Sequence, residues 1–411
     1  MKKILANVLK AIVPTRQEEE QVFSKINAFL AKLGSSLGDA APILGGSMAK
    51  GTWIKGVHDA DIFVKFPYKK YSGKTSELSD ILEKKIRRLK LTRLHGSRDY
   101  FQIRQESITY EIIPILDIAK ADHALNITDI SPLHAKWVKK NLKDPSQVRL
   151  AKAFCKAQGV YGAESYIMGF SGYVVEILTV YYGSFERFVR QASKWGSRTI
   201  IDPMKYHKNV MFEVNQSKLV SPLVLIDPVQ KGRNTAAGLS KENYDRFVRA
   251  CQAYLDQPSE DFFIAKKVSK SDLSQKAKDK ALIFVEVKAV SGKEDVVGGK
   301  LKKAFDFFSR ELVRHDFLVA DKGWEFDIPT KAIFWYFVSP KELPKKREWP
   351  GPPLKSSQNV DAFKKKYSNT FTKGNRIFAT ITRKYTKPSD LIKSLGKDPY
   401  LKDKLKSYEL K

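Results

Sequence analysis

The chain has 411 residues, 42% of them hydrophobic, so it can bury substantial cores, and its length suits two to four domains better than one enlarged core. Lysine and arginine total 74 against 45 aspartates and glutamates, a formal charge of +29 that attracts a phosphate backbone through its summed field. The charge runs through folded-looking sequence, and the apolar stretches end or take charges well short of a bilayer span, which argues against an integral membrane protein.

Met1–Ile12 (MKKILANVLKAI) opens like a secretion signal, but Pro14, Arg16 and three consecutive glutamates follow at once. Cys155 and Cys251 are too few for a disulfide framework or a structural zinc cluster, so buried thiols in a cytoplasmic protein are expected. From Thr15 to Leu33 the residues Val22, Phe23, Ile26, Phe29, Leu30 and Leu33 recur at helical spacing, with Gly34 placed to close the helix.

Chemistry-bearing residues begin in Ala41–Pro67, APILGGSMAKGTWIKGVHDADIFVKFP. Its last run reads as a short strand with Asp59, Asp61, Phe63 and Lys65 on one face and Ala60, Ile62, Val64 and Phe66 on the other. Two carboxylates two residues apart are common on exposed strands and prove little alone. Here they follow Gly45, Gly46 and Ser47, a turn able to offer backbone N–H groups and a hydroxyl to phosphates. Lys50 can add a charge to a triphosphate, whereas Trp53 and Ile54 suit packing.

A third carboxylate, Glu111, stands in Tyr110–Leu116 (YEIIPIL), a strand-like run expected to pair with the first and to bend or lie at an edge because of Pro114. Either Glu111 is a surface residue at a strand end, or it completes a divalent-ion site with Asp59 and Asp61. In the second case Asp59 and Asp61 bridge two Mg2+ ions, Glu111 serving chiefly the ion that activates a primer 3′-hydroxyl. Farther on, Ser131 and Pro132 in Asp129–Val138 (DISPLHAKWV) suit a helix N-cap and first turn, placing His134 near the positive end. Lys152 and Tyr161 flank a helix-to-turn transition, where one supplies charge and the other a hydroxyl with an aromatic surface. Each also has an ordinary reading in packing or solubility.

The sequence resembles the archaeal CCA-adding enzymes, tRNA nucleotidyltransferases that build or repair the 3′-terminal CCA. The resemblance lies in Gly45–Pro67, YEIIP at Tyr110–Pro114 and DISPLH at Asp129–His134, and continues through Gly159–Leu178, Tyr182–Trp195 and PLVLIDPVQKGRN at Pro222–Asn234. It implies a multidomain α/β and α+β chain. A polymerase-beta-type nucleotidyltransferase head is expected at 1–140, a helical neck at 141–215 and a body at 216–280. A tail region with strands and a basic loop would follow at 281–370, and a C-terminal return to the body at 371–411. Body and tail are mixed and RNA-binding in this reading.

By the same resemblance Asp59, Asp61 and Glu111 are the catalytic metal ligands, while Gly46, Ser47, Lys50, His134, Lys152 and Tyr161 surround the incoming triphosphate. Arg233, in QKGRN, matches the arginine associated with recognising the incoming C or A, though it also suits a general RNA clamp. The family commonly has Glu at the Asp59 position, Asp at the Glu111 position and often Arg at the Lys50 position. The first two changes exchange reach between two ligands, and the third removes a planar donor fork. CTP and ATP are the implied substrates, and the tRNA acceptor region with its 3′ end the implied partner. A homodimer is compatible with this reading.

Beyond the head, Phe170–Trp195 carries a helix-spaced apolar and aromatic stripe suited to core, with Gly172 and Gly183 suited to turns or close packing. Ser221–Leu239 reads as a short strand, a DP turn and a basic loop that brings Arg233 toward the head. Ala281–Ala289 and Thr330–Val338 are strand candidates separated by a helical Leu301–Val313. In Lys341–Tyr367 eight basic residues accompany three acidic ones, and WPGPP resists a helix, which suggests a basic loop. A strand candidate at Arg376–Thr382 then precedes a Lys-rich, helix-like end. The alternatives to CCA addition are a related poly(A)-adding polymerase and a tRNA-binding protein that has lost turnover. The three carboxylates disfavour the latter, and the long match through Asn234 disfavours the former.

Overall fold

The apolar stripe of the first residues folds as helix α1 (Lys2–Ile12), which buries Val8 and packs Ile4, Leu5 and Leu9 onto an aromatic core. In this computed structural model, residues 1–56, 58–327 and 330–411 are described, and the chain divides into two units, Met1–Lys266 and Lys267–Lys411. Helix α2 (Arg16–Gly34) begins where expected. Thr15 Oγ1 accepts from Glu18 N at 3.2 Å while Glu18 Oε2 accepts from Thr15 N at 2.7 Å, a reciprocal cap that satisfies two donors at the helix start.

Strand β1 (Ala41–Leu44), the short helix α3 (Gly46–Ala49) and β2 (Asp59–Pro67) follow, then α4 (Tyr68–Tyr71), α5 (Leu78–Lys85), β3 (Thr92–Leu94), β4 (Tyr100–Gln105) and β5 (Ile108–Asp117). The strands form one sheet in the order β1-β2-β5-β4-β3, with β2 and β5 parallel and the other pairs antiparallel. Ala60, Ile62, Val64 and Phe66 of β2 face a core made with Val22, Ile26, Phe29 and Leu33 of α2 and with Leu78 and Leu82 of α5. Phe63, Ile113 and Ile115 form a smaller apolar patch on the opposite face, beyond the carboxylates.

The expectation of a bend or edge at Pro114 needs correction, because β5 is the central strand and runs unbroken through it. Pro114 pairs with Val64 of β2, while the pairing of β4 with β5 ends at Ile112. A residue without an N–H is therefore tolerated where one neighbour has already run out, and its carbonyl accepts from Arg98 at 3.0 Å.

Helices α6 (Ser131–Asn141), α7 (Pro145–Ala157), α8 (Gly172–Tyr182) and α9 (Phe185–Ala192) continue the first unit. Ser131 is the first residue of α6 and does not cap it, because a 3-10 turn at Ile127–Ile130 runs straight into the helix. The capping falls to Asn126 and Asp129. Buried Asp129 also accepts from Leu116 N at 2.9 Å and Arg98 NH1 at 2.5 Å, tying the end of β5 to the start of α6. Gly183, at φ +84°, closes α8 in a left-handed conformation open to glycine.

The unit ends with β6 (Thr199–Ile201), α10 (Val210–Glu213), β7 (Leu223–Asp227), β8 (Gln230–Asn234) and α11 (Lys241–Asp256). These three strands make a small sheet, β6-β7-β8, and Phe154, Phe170, Phe185, Phe188, Tyr244, Phe247 and Tyr254 fill the core around α7, α8, α9 and α11. Both cysteines are buried there as free thiols.

The second unit contains α12 (Lys270–Ala277), β9 (Ala281–Ala289), α13 (Glu294–Arg314), β10 (Leu318–Asp327), β11 (Lys331–Ser339), β12 (Lys346–Pro353), α14 (Ser357–Lys366), β13 (Thr370–Lys373), β14 (Arg376–Thr382), α15 (Pro388–Ser394), α16 (Pro399–Lys402) and β15 (Leu405–Leu410). One antiparallel sheet, β10-β11-β9-β15, is covered by α13, whose Leu301, Ala304, Phe305 and Phe308 meet Val285, Phe334 and Tyr336. The second sheet is β12-β14-β13. The basic WPGPP segment is thus an edge strand with a register break between Pro350 and Pro353, followed by a helix, in place of a loop. Among the described residues no helix is long and apolar enough to cross a membrane.

Candidate active site

Alternation along β2 puts Asp59 and Asp61 on the face opposite the core, and parallel pairing sets Glu111 of β5 level with Asp61. Gln102 of β4 donates to Glu111 Oε1 at 3.1 Å. The two glycines before Ser47 are required by close approach. A Cβ at Gly46, where φ is +57°, would lie 1.6 Å from Asp61 Oδ2, and one at Gly45 would lie 2.1 Å from the Phe63 ring. Gly45 N also donates to the Asp61 carbonyl at 2.7 Å, so the turn bearing Ser47 is laid directly on the carboxylate.

Asp61 makes no ion pair among the described residues. Loss of water pushes its carboxyl above the usual carboxylate range, Lys50 and Lys152 oppose the rise, and Asp59 adds to it. No three His, Cys, Asp or Glu side chains among the described residues converge as a ready metal set. The three expected ligands nevertheless share one face of adjacent strands and offer hard oxygen donors, the chemistry that Mg2+ takes.

Lys50 and Lys152 come together through Glu176 of α8, which the sequence reading missed. Glu176 is fully buried; Lys50 Nζ reaches its Oε2 at 2.5 Å and Lys152 Nζ its Oε1 at 3.0 Å. Thr52 Oγ1 donates to the same Oε1 at 2.8 Å and takes a bond from Lys152 at 3.0 Å. Burial alone would raise the Glu176 pKa, but Lys152 and Lys50 bring it below the ordinary value. Burial likewise lowers that of Lys152, against the pull of Glu176. Tyr161 lies beside this pair because Gly172 leaves room: a Cβ there would stand 2.9 Å from the Tyr161 hydroxyl and 3.9 Å from Lys152 Nζ. Lys156 crosses the Tyr161 ring at 5.2 Å.

His134 and Arg233 meet at a second buried carboxylate, Asp227, also missed from sequence. His134 Nε2 is 3.1 Å and Arg233 NH1 2.7 Å from Asp227 Oδ2, while Tyr173 donates to Oδ1 at 3.1 Å. Arg233 therefore lies on β8, not in the expected basic loop. The His134 and Tyr173 rings stack 4.0 Å apart. Burial pushes the His134 imidazolium down, Asp227 opposes this, and Arg233 and Lys50 add to it. Tyr173 and Glu176 are three residues apart on α8, so one helix face serves both carboxylate centres.

A nucleotidyltransferase domain model matches residues 24–114, a model of the tRNA nucleotidyltransferase second domain matches 146–264, and one of the CCA-adding enzyme C-terminal domain matches 268–400. The CCA-adding enzyme of Nanoarchaeum equitans is 34% identical over 345 residues, covering 83% of each chain. That of Pyrobaculum aerophilum is 31% identical over 419 residues, 97% of this chain and 95% of the relative. That of Methanocaldococcus jannaschii is 29% identical over 415 residues, 96% of this chain and 90% of the relative. The β1–β5 sheet with its carboxylates is accordingly a polymerase-beta-type nucleotidyltransferase head, joined to helical and mixed-sheet regions. Three successive domain matches and relatives aligned along most of its length show that the chain belongs to the family of CCA-adding enzymes, the tRNA nucleotidyltransferases.

Proposed function

We propose that the protein completes or repairs the 3′-terminal CCA of tRNA, taking CTP and ATP in turn and releasing pyrophosphate. The observation that carries this reading is the β2 face, where Asp61 stands level with Glu111, Asp59 lies two residues along on the same face and a glycine turn is pressed against Asp61, in a chain with CCA-adding relatives. Asp59, Asp61 and Glu111 would hold Mg2+. Bound there, the ions would activate the primer 3′-hydroxyl and offset charge on the α-phosphate and the departing pyrophosphate.

The chain's own groups do the rest. Ser47 and the backbone of its turn bind phosphate, and Lys50 and Lys152 supply positive charge from positions fixed by Glu176. His134 and Tyr161 complete the triphosphate site, and Arg233 reads the base edge. The excess of 74 basic residues over 45 acidic ones supplies the attraction for the tRNA backbone, including Lys364, Lys365 and Lys366 at the end of α14. A cytoplasmic setting agrees with two buried, unpaired thiols.

Incubation with tRNA lacking CCA, Mg2+ and controlled CTP and ATP tests the proposal. Sequenced products should pass through C and CC to CCA and stop there. Efficient poly(A) growth with little use of CTP would overturn it.

A further inference from the structure

Four elements converge on Asp227. It is the last residue of β7 and fully buried, and each of its carboxylate oxygens takes two partners. Oδ1 accepts from the Tyr173 hydroxyl at 3.1 Å and from Val229 N at 2.9 Å. Oδ2 faces His134 Nε2 at 3.1 Å and Arg233 NH1 at 2.7 Å. His134 comes from α6, Tyr173 from α8 and Arg233 from β8, so the carboxylate is held from several directions and cannot shift without moving all of them.

Chemistry fixes the roles around Oδ2. His134 Nε2 lies 3.1 Å from Oδ2 and 3.4 Å from Arg233 NH1; the closer contact is to a carboxylate oxygen, which would repel a nitrogen lone pair, so the hydrogen is placed on Nε2. Arg233 is anchored through NH1 alone; among the described residues its Nε and NH2 make no hydrogen bond within the protein, and its side chain is 30% exposed. A guanidinium pinned at one corner presents its remaining donors in a fixed direction, whereas a free one would follow any acceptor within reach.

We propose that Asp227 is a positioning residue that couples His134 to Arg233, so that triphosphate alignment and base selection are set together by one buried carboxylate. This deepens, and rests on, the reading that His134 meets the triphosphate and Arg233 the base. Tyr173, stacked on His134 and bonded to the other oxygen, keeps the carboxylate from rotating between His134 and Arg233.

The test compares wild type, Asp227→Asn, Arg233→Ala and the double variant in single-turnover incorporation of all four nucleotides, on tRNAs ending before C, after C and after CC. Direct tRNA affinity and thermal melting are measured alongside. Each single variant should lower the ratio of correct to incorrect nucleotide use on the order of tenfold, and the double variant should lose no more than either alone. Retained tRNA binding in both singles is part of the expectation.

Multiplying ratios in the double variant, or a selectivity loss in Arg233→Ala with none in a folded Asp227→Asn, overturns the coupling while leaving the base-reading arginine intact. An unchanged ratio in Arg233→Ala removes the base-reading role itself and the proposal with it. Should Asp227→Asn fail to fold, the 15N resonances of His134 in the wild-type protein decide. A hydrogen on Nε2 is expected, and a neutral ring protonated at Nδ1 overturns the proposal.

Discussion

The β2 carboxylates and the buried carboxylates Glu176 and Asp227 are the same chemical groups held in opposite ways. Glu176 and Asp227 are fully buried and cation-bound, and their pKa values are brought below the ordinary range. Asp61 lies on the sheet face opposite the core with no ion pair among the described residues, and loss of water raises its pKa. The paired acids fix the side chains proposed to meet the nucleotide. The other is held short of a cation, with a glycine turn pressed on one side and a like charge two residues away. An acid that orients protein cations is satisfied in the fold; one that serves as a metal ligand is left for the ion to satisfy.

The largest expected effect breaks the open side of this comparison. Asp61→Asn should lower single-turnover incorporation by several orders of magnitude while folded content and tRNA affinity hold, because a charged oxygen ligand is removed at the reacting phosphate. Near-normal rates at matched binding would show that Asp61 is not a ligand.

On the closed side, Glu176→Gln leaves Lys50 and Lys152 without their shared counter-charge. Breaking a buried pair of this kind costs about 3–5 kcal/mol, so the urea midpoint should fall clearly and the KM for ATP should rise. An unchanged midpoint would mean that the lysines are held by something else. Tyr173→Phe removes only one of the four bonds to Asp227 and should cost about 1 kcal/mol, read in the same denaturation experiment. A loss as large as that of Glu176→Gln would point to repacking around the stacked His134 ring.

The smallest effect sharpens the contrast by its sign. A carboxyl whose folded pKa is raised contributes stability while protonated and loses it as pH rises from the ordinary carboxylate range through the folded value. At pH 7, above the ordinary carboxylate range, the ion-free wild type has therefore given up stability on this account. Asp61→Asn in chelator should therefore melt higher than wild type at pH 7, with the gap narrowing as the pH falls below the usual carboxylate range. A lower melting temperature at pH 7 would contradict the view that Asp61 is held at a cost.

What could be read from the chain alone follows the distance over which each feature is decided. The Thr15–Glu18 cap and the two faces of β2 are set within a few residues, and both are visible in the order of side chains. Glu176 and Asp227 carry no local sign. Their partners lie as far as 126 and 93 residues away, and each sits in an apolar stretch where an acid invites no particular reading. The C-terminal KDKLKSYEL has helix-like leucines and lysines, yet pairing with β9 makes Leu405–Leu410 a strand. Leu318–Asp327 is a strand by pairing with β11, although its mixed polar sequence shows little alternation.

The first helix has a consequence for the chain's connectivity. Asn7 of α1 donates to Glu260 at 2.7 Å, and Phe262 and Phe263 lie in the same aromatic core as Leu5 and Val8. The opening helix and the closing 3-10 turn of the first unit therefore share one patch of its surface. A short glycine-rich bridge could join these ends and the unit be reopened in an exposed turn elsewhere, with the carboxylate face of β2 undisturbed. The first unit is in this sense a ring cut at one point, and the place of the cut is a free variable in its design.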